Sequence, residues 1–145
     1  MKAKVLFLCT GNSCRSQMAE GWAKALLPEL VDAYSAGTKP QGLNPLATSV
    51  MAEAGVDISR HTSKHLDSLG HIKFDLVITV CDNAATSCPT PPQGTKVVHA
   101  PFADPPALAQ TKKTEAAALD CYRQVRDQIK EYVANALLAY LPNQH

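Results

Sequence analysis

The chain has 145 residues, the length of one typical domain. Hydrophobic residues make up 46% of it and charged residues 19%, a balance that excludes a disordered, collagenous or low-complexity chain. Lys and Arg number 14 against 13 Asp and Glu, so the formal net charge of +1 offers no broad electrostatic footprint for nucleic acid or an anionic membrane. We therefore expect one domain over residues 1–145, a monomer without nucleic-acid or membrane partners.

The cysteines and the N-terminus indicate a cytoplasmic protein. No apolar run approaches the ~18 residues of a membrane-spanning helix, and the stretch from Val5 to Leu8 is far too short for the core of a signal peptide. The cysteine count is odd, and a reducing compartment makes structural disulfides unfavourable. The thiols are therefore candidates for reactivity: Cys9, Cys14, Cys81, Cys88 and Cys121.

Hydrophobic patterns along the chain predict alternating strands and helices. The predicted strands are apolar runs bounded by turn residues, and the predicted helices have apolar residues spaced by three and four. In chain order we expect a strand over 4–8, a helix ending near Pro28, a strand over 31–35, a helix from Asn44 to Gly55, one or two helical turns over 63–69, strands over 74–80 and 96–99, and a long helix over 114–141.

This order of elements predicts an α/β fold. A βαβαβ(α)βα sequence forms a right-handed, doubly wound parallel sheet with helices on both faces. With the strand order of flavodoxin-like folds, the four strands lie in the order 2-1-3-4.

A loop between the first predicted strand and the first predicted helix has the pattern of an oxyanion site. It runs from Cys9 to Arg15, a cysteine and an arginine with five residues between them. Backbone N–H groups of such a loop can surround a tetrahedral oxyanion, while the guanidinium grips two oxygens. Gly11 and Asn12 tolerate the left-handed backbone that this needs. The residues expected to bind the oxyanion are Thr10, Gly11, Asn12, Ser13, Cys14, Arg15 and Ser16.

Cys9 is the predicted nucleophile of this loop. The positive field of the loop and of Arg15 favours the reactive thiolate, and the Ser16 hydroxyl is expected to add a hydrogen bond. The alternative is that Cys9 is only a buried cysteine at a strand end and Arg15 a solvated helix residue. The strand before the loop, the helix after it and the Gly-Asn pair inside it favour the oxyanion site.

Asp104 is the candidate general acid. It precedes Pro105 after a predicted strand and turn, so its carboxyl group could lie over the loop and protonate a departing oxygen. An Asp before a Pro is also common in simple turns, and this alternative stays open.

The motif Cys-Thr-Gly-Asn-Ser-Cys-Arg-Ser-Gln-Met-Ala-Glu over residues 9–20 resembles the low-molecular-weight protein tyrosine phosphatase superfamily. Within it, the chain resembles the thioredoxin-coupled arsenate reductases. Cys81 and Cys88 stand where that branch has two further thiols, whereas Pro106 stands where the phosphatase branch typically has an aromatic residue. The resemblance implies a phosphatase I-like fold and the reduction of arsenate to arsenite.

The resemblance also implies a cascade of three thiols. Cys9 would attack bound arsenate while Asp104 protonates the departing oxygen, and Cys81 would then attack the sulfur of Cys9 and release arsenite. Cys88 would attack Cys81, and the resulting disulfide would be reduced by thioredoxin in preference to glutaredoxin. No cofactor is expected.

The predicted sheet order supports the first thiol exchange. The first and third strands would be neighbours about 4.8 Å apart, and Cys9 and Cys81 each follow their strand directly. The two thiols then lie at one edge, within the span of a disulfide. The alternative is that Cys81 is an inert buried thiol.

Cys88 requires a conformational change. If residues 81–88 were helical, steps of ~1.5 Å would separate the two α-carbons by roughly 10 Å, too far for a disulfide. We therefore expect residues 82–88 to refold with oxidation state. The alternative is that Cys88 is an exposed bystander before a proline-rich turn.

Members of the superfamily often hold a monovalent cation beneath the loop, using Asn12, Glu20 and an acidic residue two positions after a threonine. This chain has Lys64 at that last position, after Thr62. Its ammonium group either replaces the cation and pairs with Glu20 or points to solvent. No other metal site is expected, because the histidines lack metal-ligand spacing.

Two other functions stay open from the sequence. A phosphatase acting on phosphomonoesters would need only Cys9, Arg15 and Asp104, and a regulatory module would bind an oxyanion without turnover. Weak phosphatase side activity is expected even of a reductase, because the loop distinguishes tetrahedral dianions poorly. Cys14 and Cys121 are interpreted as packing residues.

Overall fold

A parallel sheet organises the fold of this chain, whose computed structural model describes residues 2–80 and 95–141. In that part of the chain four strands form one sheet in the order β2-β1-β3-β4, and each neighbouring pair is parallel. The predicted sheet and its order are confirmed. The strands are β1 (Ala3–Cys9), β2 (Val31–Gly37), β3 (Leu76–Thr79) and β4 (Lys96–His99).

Helices connect and cover these strands. They are α1 (Arg15–Leu26), α2 (Pro45–Glu53), a 3₁₀ turn (Leu66–Leu69), α3 (Pro105–Ala109) and α4 (Glu115–Glu131). The predicted start of α2 is confirmed, because the Asn44 side chain accepts hydrogen bonds from the backbone N–H groups of Leu46 and Ala47.

Two helical features differ from the sequence prediction. The last helix changes geometry after Glu131, continuing as a π-helical turn (Tyr132–Ala136) and a 3₁₀ turn (Leu137–Tyr140). The short helix α3 was not predicted. Its first two residues are prolines, which suit the first turn of a helix because their φ is preset and they lack an N–H group to satisfy.

Apolar side chains cover both faces of the sheet. One face packs against α1, α2 and α4 through the larger core cluster, which includes Phe7, Met18, Ile78 and Ile129. The opposite face carries a smaller cluster beneath the 3₁₀ turn, which contains Leu6, Leu8, Ala36, Leu69 and Val77. Within residues 2–80 and 95–141, no helix combines the length and apolar character needed to cross a bilayer.

Candidate active site

A cavity of about 410 Å³ lies at the carboxyl edge of the sheet, where β1 ends. Ligand sites of open α/β folds occupy this edge. The structure brings together here most of the residues that the sequence analysis singled out. The lining residues are Cys9, Thr10, Gly11, Ser13, Cys14, Arg15, Gln41, Asp104, Pro106 and Ala107.

The carbonyl groups of the loop after β1 are bonded on its outer side. Three of them each accept a hydrogen bond from a backbone N–H group of the segment that follows β2. The bonds join Thr10 O to Lys39 N (2.8 Å), Gly11 O to Gln41 N (2.9 Å) and Ser13 O to Asn44 N (3.0 Å). Because a peptide C=O and the N–H group of the same peptide point in opposite directions, the N–H groups of residues 11, 12 and 14 turn to the other side. An oxyanion cradle requires this arrangement.

One loop residue adopts the left-handed backbone conformation. Asn12 has a φ of +45°, whereas Gly11 is absent from the positive-φ residues of the described chain. The expectation for Asn12 is thus confirmed and that for Gly11 is wrong. A Cβ atom at Gly11 would lie 3.0 Å from Oε1 of Gln41, the end of a flexible side chain that can move aside.

Cys9 and Arg15 lie at the two ends of the loop and face the same cavity. Cys9 is the last residue of β1 and Arg15 the first residue of α1, and both are buried. The Arg15 guanidinium donates to the carbonyl oxygen of Phe102 (2.9 Å) and forms an ion pair with Asp104 (3.4 Å). These contacts orient a planar, bidentate donor towards the cavity.

Asp104 lines the same cavity as the loop. It is the residue before α3, and its side chain is 38% exposed, so it reaches both solvent and Arg15. The Asp-Pro pair is therefore more than a simple turn, since it brings a carboxyl group to the rim of the cavity that Cys9 lines.

Cys14 and Ser16 contribute differently from each other. Cys14 lines the cavity, but burial raises the pKa of its thiol to about 12, with Asp104 adding to this and Arg15 opposing it. Ser16 is fully buried and is absent from the residues lining the cavity; its hydroxyl accepts a hydrogen bond from Asn12 Nδ2 (3.0 Å). Ser16 thus contacts the loop itself.

The remaining cysteines fall into two groups. Cys81 and Cys88 lie outside the described residues, so their predicted pairings stay predictions. The strand adjacency behind the first of them is confirmed, because Leu8 of β1 pairs with Thr79 of β3. Cys121 is buried in α4 and its thiol lies 3.5 Å from the carbonyl oxygen of Ala117, which agrees with a packing role.

Beneath the loop, the buried carboxylate of Glu20 pairs with Lys24. Lys24 Nζ donates to one carboxylate oxygen and the Ser35 hydroxyl donates to the other. Neither of the two alternatives for Lys64 describes its position: its ammonium group donates to the carbonyl oxygen of Thr62 (2.9 Å), and no ion pair within 4.0 Å joins it to Glu20 among the described residues.

These contacts do not fit a cation site. Oδ1 of Asn12 already accepts two hydrogen bonds, from Gln17 Nε2 (3.0 Å) and Lys64 N (2.9 Å), and the Glu20 carboxylate is neutralised by Lys24. A cation would have to displace these donors, so we assign it no role. In the described part of the chain no group of three potential metal ligands comes together.

Two glutamines at this site were not predicted from the sequence. Gln17 is fully buried beneath the loop, and Gln41 lines the cavity. Neither has a motif of its own. A polar residue in the first turn of a helix ordinarily indicates a solvated position, and only the packing of the 60–64 segment onto α1 encloses Gln17.

Comparison with known proteins decides the family. The family model described as low molecular weight phosphotyrosine protein phosphatase matches residues 4–144. The chain belongs to this family. Within it, curated relatives at 42–48% identity are named arsenate reductase. The arsenate reductase of Halalkalibacterium halodurans is 47% identical over 128 residues, which covers 88% of this chain and 90% of the relative.

Solved structures of the family share this fold. An arsenate reductase in the phosphate binding state has a TM-score of 0.73 at 34% identity and covers 98% of this chain and 100% of its own. A tyrosine phosphatase of Erwinia amylovora has a TM-score of 0.73 at 25% identity, with 99% and 95% covered. The fold therefore accommodates both activities, and the choice between them depends on the residues of the site.

Proposed function

We propose that this chain is a thioredoxin-coupled arsenate reductase. The observation that carries the proposal is that one cavity is lined together by Cys9, the loop, Arg15 and Asp104. The cavity combines a thiol, an anion-binding loop and a carboxyl group, which is what attack on a tetrahedral oxyanion requires. The curated relatives at 42–48% identity support arsenate as that oxyanion.

In the first step the Cys9 thiolate attacks the arsenic atom of bound arsenate. A sulfur–arsenic bond forms, and an arsenic–oxygen bond breaks with transfer of a proton from Asp104 to the leaving oxygen. Arg15 and the loop N–H groups hold the negative charge that the other oxygens carry. Arsenic is still in its pentavalent state after this step.

The second step transfers two electrons to arsenic. The Cys81 thiolate attacks the sulfur of Cys9, so that a Cys9 to Cys81 disulfide forms and the electrons of the sulfur–arsenic bond leave with arsenite. The pairing of β1 with β3 supports this step, because the ends of the two strands lie side by side at one edge of the sheet.

The third step regenerates the nucleophile. Cys88 attacks Cys81 and frees the Cys9 thiolate, and a dithiol reductant, thioredoxin in preference to glutaredoxin, reduces the Cys81 to Cys88 disulfide. Because each cycle begins from reduced thiols, the enzyme would work in a reducing compartment such as the cytoplasm.

A coupled assay tests the proposal. We expect arsenate-dependent oxidation of NADPH when the protein is supplied with thioredoxin and thioredoxin reductase, and little oxidation with a glutaredoxin system. Reactions without arsenate and with Cys9→Ser are the controls. Absence of arsenate-dependent oxidation with both reductants would overturn the reductase assignment.

The alternative activity is phosphomonoester hydrolysis, which the likeness to the Erwinia amylovora tyrosine phosphatase favours. The rim of the cavity argues against a phosphotyrosine specialist, because Pro106 and Ala107 offer no aromatic ring for the substrate to stack on. Hydrolysis of an aryl phosphate should therefore be slow beside arsenate reduction. Rapid hydrolysis without arsenate reduction would establish the phosphatase instead, and oxyanion binding without either turnover would indicate a binding module.

A further inference from the structure

Gln17 lies directly beneath the loop after β1 and bonds to it through the nitrogen of its carboxamide. The side chain is fully buried, and its Nε2 atom lies 3.1 Å from the backbone oxygen of Asn12 and 3.0 Å from Asn12 Oδ1. The same nitrogen lies 3.0 Å from the carbonyl oxygen of Thr62. Oε1 of Gln17 lies 3.0 Å from Nδ1 of His61.

The surroundings determine which way this carboxamide points. Three oxygen atoms face one end of it, so the NH₂ group must be at that end, since an oxygen there would meet only other acceptors. Oε1 of Gln17 has no hydrogen, so Nδ1 of His61 must donate to it. Burial lowers the pKa of His61, against the opposing effect of Glu20, and so favours a neutral ring, whose hydrogen the contact with Oε1 places on Nδ1.

Asn12 is the loop residue that depends most on such support. Its φ of +45° is unfavourable for a residue with a Cβ atom and persists only where the surroundings hold it. Gln17 bonds both its backbone and its side chain, Lys64 N donates to Oδ1 (2.9 Å), and its Nδ2 donates to Ser16 Oγ (3.0 Å).

We propose that Gln17, oriented by His61, is a positioning residue that holds Asn12 in the left-handed conformation and thereby shapes the loop for its oxyanion. The proposal rests on the proposed function only in taking this loop as the oxyanion site. A residue that merely filled space here would be apolar, because a buried carboxamide is unfavourable unless its hydrogen bonds are made.

Sulfate is the probe that tests this role, because it is a tetrahedral dianion whose charge is constant across the pH range used. Binding is measured by calorimetry on the full chain. Gln17→Met keeps the length of the side chain and removes its donors. Val125→Ala, in the buried face of α4, is a control that destabilises the fold without changing the contacts of the loop.

We expect Gln17→Met to weaken sulfate binding by about tenfold or more, because buried acceptors of the loop lose their donor. Val125→Ala should leave the dissociation constant of sulfate within about twofold of wild type, even if it lowers the melting temperature as much as Gln17→Met does. Sulfate binding by Gln17→Met at the wild-type level, or an equal loss in both variants, would overturn the proposal.

Gln17→Glu supplies a second readout through its pH profile. An ionised carboxylate has no donor, whereas the protonated form has one, so sulfate binding by Gln17→Glu should recover as pH falls from about 8 to about 6, relative to wild type at each pH. The other titratable or charged groups around the carboxamide are His61, Glu20, Lys24 and Lys64. The ratio removes the titration of groups distant from position 17, whereas His61, which contacts that position, titrates together with the introduced carboxylate as one coupled pair.

If the sulfate affinity of Gln17→Glu relative to wild type does not change with pH, the positioning role is contradicted. This readout does not depend on Gln17→Met, so it still applies if that variant fails to fold. Failure of the proposed function has a different signature. Tight sulfate binding that is lost in Gln17→Met, in a protein that does not reduce arsenate, would retain Gln17 as a positioning residue and reject the reductase. A wild-type protein that binds neither sulfate nor arsenate would overturn both.

Discussion

Two cysteines of the same loop, Cys9 and Cys14, show how position sets chemical role at the scale of a single residue. Both line the cavity, but the thiol of Cys14 is buried beside the carboxylate of Asp104, and its pKa is raised to about 12. At neutral pH Cys14 is therefore fully protonated. A protonated thiol is a poor nucleophile, so Cys14 acts in packing and Cys9 remains the candidate for attack.

This difference predicts selective alkylation. Iodoacetamide at about pH 8 should leave Cys14 unmodified in the folded protein, because the raised pKa keeps its thiolate fraction negligible until far higher pH. Peptide mass spectrometry measures the labelling, and the unfolded protein, in which the pKa returns to its ordinary value, is the control. Labelling of Cys14 in the folded state at the rate of an unfolded thiol would contradict its assignment as a packing residue.

Arg15 is predicted to be irreplaceable by lysine. The guanidinium holds Phe102 O and Asp104 while it presents further donors to the cavity, which a single ammonium group cannot do. Arg15→Lys should lower arsenate turnover by about 10²-fold or more. Steady-state kinetics measure the effect, with circular dichroism as the check on folding. Unchanged turnover and oxyanion affinity would show that Arg15 does not contact the oxyanion.

At the scale of elements, the end of β2 packs closely against the backbone of the loop after β1. Gly37 is the last residue of β2, and a Cβ atom there would overlap the carbonyl oxygen of Thr10 and lie 2.9 Å from the backbone nitrogen of Asn12. The neighbouring atoms are backbone, which cannot move aside as a flexible side chain can. The close approach of β2 and the loop therefore requires glycine at this position.

Gly37→Ala should displace the loop and weaken oxyanion binding at least about tenfold, with a stability loss of about 1–3 kcal/mol from overpacking. Gly55→Ala is the matched control: its φ of +86° also disfavours alanine, but open space surrounds it, so it should lose stability without losing affinity. Calorimetric binding of sulfate and thermal unfolding distinguish the two effects. Equal sulfate affinities in the two variants would refute the requirement for glycine at position 37 in shaping the loop.

At the scale of the whole molecule, three separate segments converge on one edge of the sheet. The loop after β1 is bonded from outside by residues 39–44, from beneath by Ser63 and Lys64, and through Arg15 by residues 102–104. The end of β3 lies at the same edge, because Leu8 of β1 pairs with Thr79 of β3.

The proposed cascade predicts that reduction and hydrolysis can be separated. Cys88→Ser should release arsenite once per enzyme and accumulate a Cys9 to Cys81 disulfide, while aryl phosphate hydrolysis persists, because hydrolysis needs no second thiol. Non-reducing peptide mass spectrometry after one turnover detects the trapped disulfide. Cys121→Ser, at a buried position of α4, is the control and should turn over repeatedly. A Cys88→Ser variant that cannot complete one turnover would reverse the assigned order of the two cysteines.

The amino-acid sequence alone was sufficient for the sheet, its order and the loop. Contiguous apolar runs identify buried parallel strands, and the right-handed crossover rule limits how such strands can be connected. The pattern from Cys9 to Arg15 likewise predicts where the candidate site lies, and the two ends of this loop line one cavity. The capped start of α2 at Asn44 and Pro45 is of the same local kind.

Tertiary structure decided the contacts between residues far apart in the chain. The sequence offered Lys64 as the partner of Glu20, but Lys24, one helical turn away, occupies that position. Gln17 became part of the site only because residues 61–64 close over it, and Gly37 matters only because β2 ends beneath the loop. Such packing relations depend on the distance between segments in space, and local periodicity carries no information about that distance.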